Sequence, residues 1–137
     1  MMQNIHFKAP NCWINDPNGF IWYKGQYHLF YQCFPYAPQW GRMHWGHAVS
    51  KDLVNWEEKG IALYPTKTDD RSGCFSGSAV KQDGTLYLYY TGVNYLEENP
   101  EDINQFRNDQ FLAAQMMISS DNGMTFDNVK RKKTVIP

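Results

Sequence analysis

The feature of this 137-residue sequence that most restricts its fold is a repeated hairpin. Phe20 to Tyr23, the pair Lys24-Gly25, and Gln26 to Gln32 read as two strands joined by a two-residue turn. Gly77 to Lys81, the pair Asp83-Gly84, and Thr85 to Tyr90 read the same way. Short runs dense in Tyr, Phe, Val and Ile between Gly, Asn and Asp breaks are the pattern of strands, and a Gly in the turn pair supplies the positive φ that a tight hairpin needs. Each hairpin is followed by a strand ending in Ser-x-Asp and then an aromatic: Ser50-Lys51-Asp52 with Trp56, and Ser119-Ser120-Asp121 with Phe126. Gly25 to Gly84 is 59 residues and Ser50 to Ser119 is 69, which gives the second copy about ten extra residues, placed in the polar stretch from Asn94 to Asp109.

A unit of roughly 60 residues with four short strands has the size of one β-propeller blade. The expected fold is therefore all-β, with blade one over about residues 15–60 and blade two over about 72–130. Propellers have about four to eight blades, because a ring must close to cover its end blades. Two blades cannot do so, and the remaining blades are expected to lie beyond Pro137. A self-contained β-sandwich of similar hairpins is the competing fold. In the second blade Val80, Leu86, Leu88 and Tyr90 alternate, and they are expected to form an outer face without a neighbour, making the isolated chain prone to aggregate or oligomerise.

Composition narrows the function. Net charge is −1, and the one basic run, Lys130-Arg131-Lys132-Lys133, reads as a solvated turn or strand end, so no nucleic-acid partner is expected. No stretch has the length and apolarity of a membrane span, and the start from Met1 to Lys8 lacks an apolar leader, so the expected location is cytoplasmic. Cys12, Cys33 and Cys74 are odd in number and widely spaced, which argues against a disulfide framework or a zinc site and suits a reducing compartment. Aromatic residues make up 16% of the chain, which suits a sugar-stacking cleft and equally suits a β-protein rich in strand-forming aromatics.

Asp16-Pro17-Asn18-Gly19 reads on its own as a tight turn, with Pro presetting φ and Gly permitting positive φ. It is preceded by Trp13 and Asn15 and runs straight into the first aromatic hairpin. His44 and His47 are three apart, a spacing that puts them on opposite faces of a strand, and no carboxylate or thiol pattern completes a metal site around them. No metal and no cofactor are expected. Glu57, Glu58, Asp69 and Asp70 are the other paired carboxylates.

The run Trp13-Ile14-Asn15-Asp16-Pro17-Asn18-Gly19 resembles the hallmark of glycoside hydrolase family 32, the invertases, sucrose-6-phosphate hydrolases, levanases and inulinases. Phe30-Tyr31-Gln32, the stretch Trp40 to Ser50, Asp52-Leu53 with Trp56, and Cys74 to Ala79 are similar to the family's next motifs, in order, and together cover most of the chain. The resemblance implies a five-bladed propeller followed by a β-sandwich, of which this chain supplies about the first two blades. It implies that Asp16 is the nucleophile of a retaining β-fructofuranosidase, attacking the anomeric carbon of a terminal fructosyl unit. In this role Asp16 is expected to sit in a turn at a channel mouth, hydrogen-bonded by backbone N–H groups. Asn15 and Gln32 are expected to bind fructose hydroxyls, Trp13, Trp40 and Phe75 to wall the pocket, and Ser76 to add a hydrogen bond.

Retaining hydrolysis needs a second carboxyl group about 5 Å away as proton donor. The family's donor stands in Glu-Cys and its third acid in Arg-Asp-Pro; neither motif occurs here, so the chain alone is expected to be inactive. The implied partner is a small sugar, whether sucrose, sucrose 6-phosphate or a fructan end, and the sucrose-6-phosphate hydrolase type is the leading expectation. Two other readings stay open: a non-catalytic fructoside-binding module, and a fructosyltransferase using the same nucleophile.

Overall fold

The structure is a computed structural model that describes residues 7–9 and 11–137; the leader reading at Met1 to His6 lies outside the described residues. Ten strands follow one another: β1 (Trp13–Tyr23), β2 (Gln26–Phe34), β3 (His44–Ser50), β4 (Glu57–Leu63), β5 (Gly73–Gln82), β6 (Thr85–Tyr95), β7 (Glu98–Asn99), β8 (Asp102–Phe106), β9 (Phe111–Ser120) and β10 (Lys132–Ile136). A 3-10 turn, Thr68–Asp70, precedes β5. Strands β1-β2-β3-β4 make one antiparallel meander, β5-β6-β9-β10 make a second, and β7-β8 form a small hairpin inserted into the second copy.

Both expected hairpin turns are present. Lys24 and Gly25 have φ of 47° and 84°, and Asp83 and Gly84 have 51° and 80°, the double positive φ of a type I′ turn, whose twist matches that of the strands it joins. The third strands refine the repeat. Tyr27 pairs with Ser50 in the first sheet and Leu86 with Ser120 in the second, so the partner of Ser50 is Ser120, not Ser119. The loops agree: Ser50 Oγ accepts the N–H of Leu53 at 2.9 Å, and Ser120 Oγ accepts that of Gly123 at 2.9 Å. The insertion is therefore eleven residues, and the counterpart of Asp52 is Asn122. Asp and Asn accept the same local backbone N–H bonds here, which is why a match on the acid alone slips by one.

The two sheets pack face to face. Tyr23, Phe30, Trp45 and Leu63 from the first meet Leu86, Leu88, Tyr90, Met116 and Ile118 from the second in one buried cluster. Fully burying each such side chain is worth about 1.5–3 kcal/mol, so this interface is the main stabilising contact between the two units. The expectation that Leu86, Leu88 and Tyr90 form an unpartnered outer face is overturned, since all three are buried against the first sheet. Ala79 pairs with Leu88 whereas Val80 pairs with Tyr87, so Val80 points to the other side of the pleat, where it and Tyr89 are exposed.

The solvated reading of the basic run is corrected at one position, Lys132, while Lys130 and Lys133 are exposed. Lys132 is fully buried, and its Nζ lies 2.6 Å from Asp70 Oδ2, which also accepts the Tyr90 hydroxyl at 2.8 Å. Asp70 Oδ1 takes the N–H groups of Thr66 and Lys67 at 3.0 and 2.8 Å. Burial alone would raise the Asp70 carboxyl, but the Lys132 ammonium and these N–H donors hold it below the usual carboxylate range. The pair ties β10 to the turn that leads into β5.

Candidate active site

The site is built on the neighbouring strands β1 and β5, one from each sheet. Asp16-Pro17-Asn18-Gly19 is not a turn: β1 runs through it, with its ladder shifted between Ile14 and Pro17 and again between Asn18 and Ile21. At the first shift Asn15 and Asp16 together oppose Gln32, the two-against-one count of a β-bulge. At the second, Gly19 takes φ of +54°, as bulges with a left-handed first residue require. Gly19 also has Phe30, Trp45 and Ala79 close around the place a Cβ would fill. The Pro and Gly that suggested a turn instead serve an interrupted strand, which accepts both at bulges.

Strand β5 breaks at the equivalent place. Its ladder shifts between Cys74 and Gly77, so that Phe75 and Ser76 together oppose Thr91. The two bulges bring Asp16 and Ser76 together: Ser76 Oγ donates to Asp16 Oδ2 at 2.6 Å. That hydroxyl, rather than the expected backbone N–H groups, holds the carboxylate among the described residues. Both residues are exposed on this face. Behind them, Asn18 Oδ1 accepts the Gly77 N–H at 3.3 Å, stitching β1 to β5. A Cβ on Gly77 would fall 1.8 Å from the Tyr89 carbonyl oxygen, so only glycine lets β5 lie this close to β6.

The remaining expected residues fall around the same spot. Trp13 Nε1 donates to Asn15 Oδ1 at 3.1 Å, Asn15 Nδ2 to Gln32 Oε1 at 2.7 Å, and Gln32 Nε2 to the Cys74 carbonyl at 3.5 Å. Gln32 is buried while Asn15 is exposed, so the relay runs from the interior outward and fixes the orientation of the outer amide. Trp40, on the segment 35–43 between β2 and β3, stands edge-on to Phe75 with ring centroids 6.3 Å apart. All seven residues therefore lie on β1, β2, β5 and one adjoining segment.

Sequence reasoning missed two supports. Trp45 is fully buried and its Nε1 donates to the Phe75 carbonyl at 3.0 Å, fixing the β5 bulge from behind. Asn18 was read as a turn residue. The signal for both was present, since each lies inside a quoted motif, but a buried tryptophan N–H needs an acceptor that only the fold identifies. His44 and His47 are both buried core groups, and among the described residues no group of three or more His, Cys, Asp or Glu is arranged to hold a metal. Glu58 is committed to Tyr31, whose hydroxyl donates to its two oxygens at 2.6 and 2.8 Å. Burial raises the Glu58 carboxyl.

The profile of the glycosyl hydrolases family 32 N-terminal domain matches residues 6–137. The chain belongs to glycosyl hydrolase family 32. A sucrose-6-phosphate hydrolase of Zymomonas mobilis is 50% identical over 123 residues, 89% of this chain and 22% of that protein. A levanase of Bacillus subtilis is 55% identical over 87 residues, 64% of this chain and 12% of that protein. Among solved structures, the family 32 beta-fructofuranosidase of Bombyx mori is 40% identical with a TM-score of 0.75, covering 91% of this chain and 24% of that one; a mutant of it has been solved in complex with sucrose. The sucrose-6-phosphate hydrolases of Zymomonas mobilis and Escherichia coli are matched over 22–25% of their length. The family 32 chain is all-β, and its two meanders are successive propeller blades.

Proposed function

We propose that this chain carries the nucleophile side of the active site of a β-fructosidase that hydrolyses terminal β-fructofuranosides with retention of configuration. The observation that carries the reading is the Asp16 carboxylate, raised on a bulge of β1 and oriented by Ser76 from the equivalent bulge of β5. Asp16 attacks the anomeric carbon of the fructosyl unit as the glycosidic C–O bond breaks, and a carboxylic acid from the rest of the protein protonates the departing oxygen. Water activated by that same residue then releases fructose and restores the Asp16 carboxylate.

The chain's own residues bind and orient. Asn15 and Gln32 each keep an amide N–H and acceptor capacity beyond their mutual bond, which suits vicinal hydroxyls. Trp13, Trp40 and Phe75 offer apolar faces to the sugar ring. The Bombyx mori structure in complex with sucrose and the sucrose-6-phosphate hydrolase relatives support a sucrose-type substrate. Three free cysteines, with Cys33 pushed up to about 12 chiefly by burial, suit a reducing cytoplasm.

The test is Asp16→Asn in the full-length protein. Sucrose hydrolysis is expected to fall by several orders of magnitude, and the first-formed fructose anomer from the parent enzyme is expected to keep the substrate's configuration. A near-normal rate in the variant, or inversion in the parent, removes Asp16 from the role.

A further inference from the structure

Next to the relay that orients Asn15 lies a pair of cysteines that the mechanism above does not use. Cys12 immediately precedes Trp13 and Cys33 immediately follows Gln32, so each is joined by one peptide bond to a member of the relay. The chain enters β1 through Asn11, whose φ is 51°. Phe7, Ala9 and Cys12 then pack over Tyr31, Cys33 and Ala48, on the opposite face of the sheet from the Phe30 core. Cys12 and Cys33 line one cavity of about 160 Å³ with Tyr31, Glu58 and Gly60. Cys33 is buried and Cys12 half-buried, and each thiol alters the acidity of the other. Burial, then the Glu58 carboxyl, raises Cys12, and burial raises Cys33 to about 12, so the resting pair is a protonated dithiol.

The strand register decides what a bond between them does. Trp13 pairs with Phe34 and Ile14 with Cys33, which sets Cys12 and Cys33 on a diagonal of the ladder. Diagonal neighbours stand about 7–8 Å apart, whereas the Cα atoms of a disulfide stand about 4.4–6.8 Å apart, so closing the bond draws Cys12 toward Cys33. The shift arrives first at Trp13, whose backbone N–H donates to the Ala37 carbonyl at 3.2 Å and whose Nε1 donates to Asn15 Oδ1 at 3.1 Å.

We propose that Cys12 and Cys33 are a peroxide-sensitive dithiol whose disulfide draws Trp13 off Asn15 and so weakens sugar binding beside Asp16. The inference rests on the reading of Asn15 and Gln32 as fructose-binding groups. The oxidant is hydrogen peroxide, which a cavity of this size admits. The Cys12 sulfur attacks one peroxide oxygen, the O–O bond breaks, and the departing hydroxide takes the thiol proton as water, leaving a sulfenic acid. The Cys33 sulfur then attacks the Cys12 sulfur, the S–O bond breaks, and hydroxide leaves with the Cys33 proton as a second water. Two thiols are oxidised to one disulfide, one peroxide is reduced to two waters, and a dithiol reductant reverses the bond.

The experiment treats the full-length protein with hydrogen peroxide, alkylates the remaining thiols and digests without reduction. Trypsin cuts after Lys8, Lys24 and Arg42, so the two cysteines fall on separate peptides, 9–24 and 25–42. Mass spectrometry is expected to find these joined. Oxidation is expected to lower kcat/KM for sucrose at least about fivefold, the scale of one lost hydrogen bond, with recovery in dithiothreitol and no loss in Cys12→Ser or Cys12→Ala. Peptides 9–24 and 25–42 found only as separate species overturn the proposal. A joined pair with kcat/KM within twofold of the reduced protein overturns the link to the sugar site, and a loss that persists in both Cys12 variants places the oxidation elsewhere and overturns it too. If the reduced parent hydrolyses no fructoside, the fructosidase reading fails, and the joined peptides still decide the disulfide. Hydrogen exchange at Trp13 to Asp16 then replaces the kinetics: faster exchange on oxidation supports release of the relay, and unchanged exchange overturns it.

Discussion

Asp16 and Ser76 occupy the same bulge position in two successive repeats and meet with Ser76 Oγ 2.6 Å from Asp16 Oδ2. A bulge turns a side chain out of the pleat's alternation. Two bulges at equivalent places on neighbouring strands therefore aim two side chains at one point, and the repeat has become a device for placing a carboxylate. Ser76→Ala is expected to lower kcat in the full-length protein by about 10- to 100-fold, the worth of a hydrogen bond to a charged group, with the thermal midpoint unchanged because the hydroxyl is exposed. Steady-state kinetics with a parallel melt checks both halves. An unchanged kcat contradicts a positioning role for Ser76.

Asn15 and Gln32 form one relay, bonded at 2.7 Å and anchored on the Cys74 carbonyl. Asn15→Ala and Gln32→Ala are each expected to reduce kcat/KM, and the double variant to lose less than the sum of the two, with a coupling of about 0.5–3 kcal/mol. Additive losses contradict a shared function.

The Asp70–Lys132 pair is fully buried and further held by Tyr90. Lys132→Met leaves a carboxylate without its counter-ion and is expected to destabilise by about 3–5 kcal/mol. Adding Asp70→Asn to that variant is expected to restore part of the loss, since no buried charge then remains. Chemical denaturation of the full-length protein measures the changes. A single variant as stable as the parent contradicts the structural role.

His28 Nδ1 lies 2.9 Å from His47 Nε2, and His28 Nε2 lies 3.1 Å from the Tyr23 carbonyl. The carbonyl can only accept, so His28 carries its proton on Nε2, and His47 donates to His28 Nδ1. Burial lowers His28, and burial with the neighbouring His28 and Lys59 lowers His47 to about 3. Both are depressed relative to the unfolded chain, so the unfolded state binds more protons as pH falls. The stabilisation is present above about pH 6.5 and is lost progressively toward pH 3. His47 alone accounts for about 2 kcal/mol between pH 7 and pH 5. Asp70, also depressed, contributes in the same direction only below the ordinary carboxylate range. Thermal melts from pH 7.5 to 5 are expected to show a falling midpoint that flattens in His47→Gln; a parent midpoint independent of pH contradicts the neutral pair.

The hairpins were legible because Lys24-Gly25 and Asp83-Gly84 announce positive φ at two adjacent positions, a requirement that few other structures make. Asp16-Pro17-Asn18-Gly19 uses the same vocabulary for a different end. Pro and Gly are as welcome at a bulge as at a turn, and only the pairing of Pro17 with Tyr31 and Asn18 with Phe30 separates the two. The burial of Leu86, Leu88 and Tyr90 against the first sheet was hidden because alternation identifies two faces without naming which one has a neighbour. Lys132 read as solvated because its partner Asp70 is 62 residues away. The site residues were legible as a set through ordered motifs, whereas the Trp45 bond that fixes Phe75 depends on packing alone.

The most direct test of Asp16 as nucleophile is to trap the covalent fructosyl-enzyme. The full-length protein, or a variant lacking its acid/base residue, is reacted with an activated fructoside, quenched in acid, digested and analysed by mass spectrometry. The predicted result is one added anhydrohexose on the peptide containing Trp13 to Gly19, with fragmentation assigning it to Asp16 and no adduct in Asp16→Asn. An adduct on another carboxylate, or one that persists in Asp16→Asn, contradicts it.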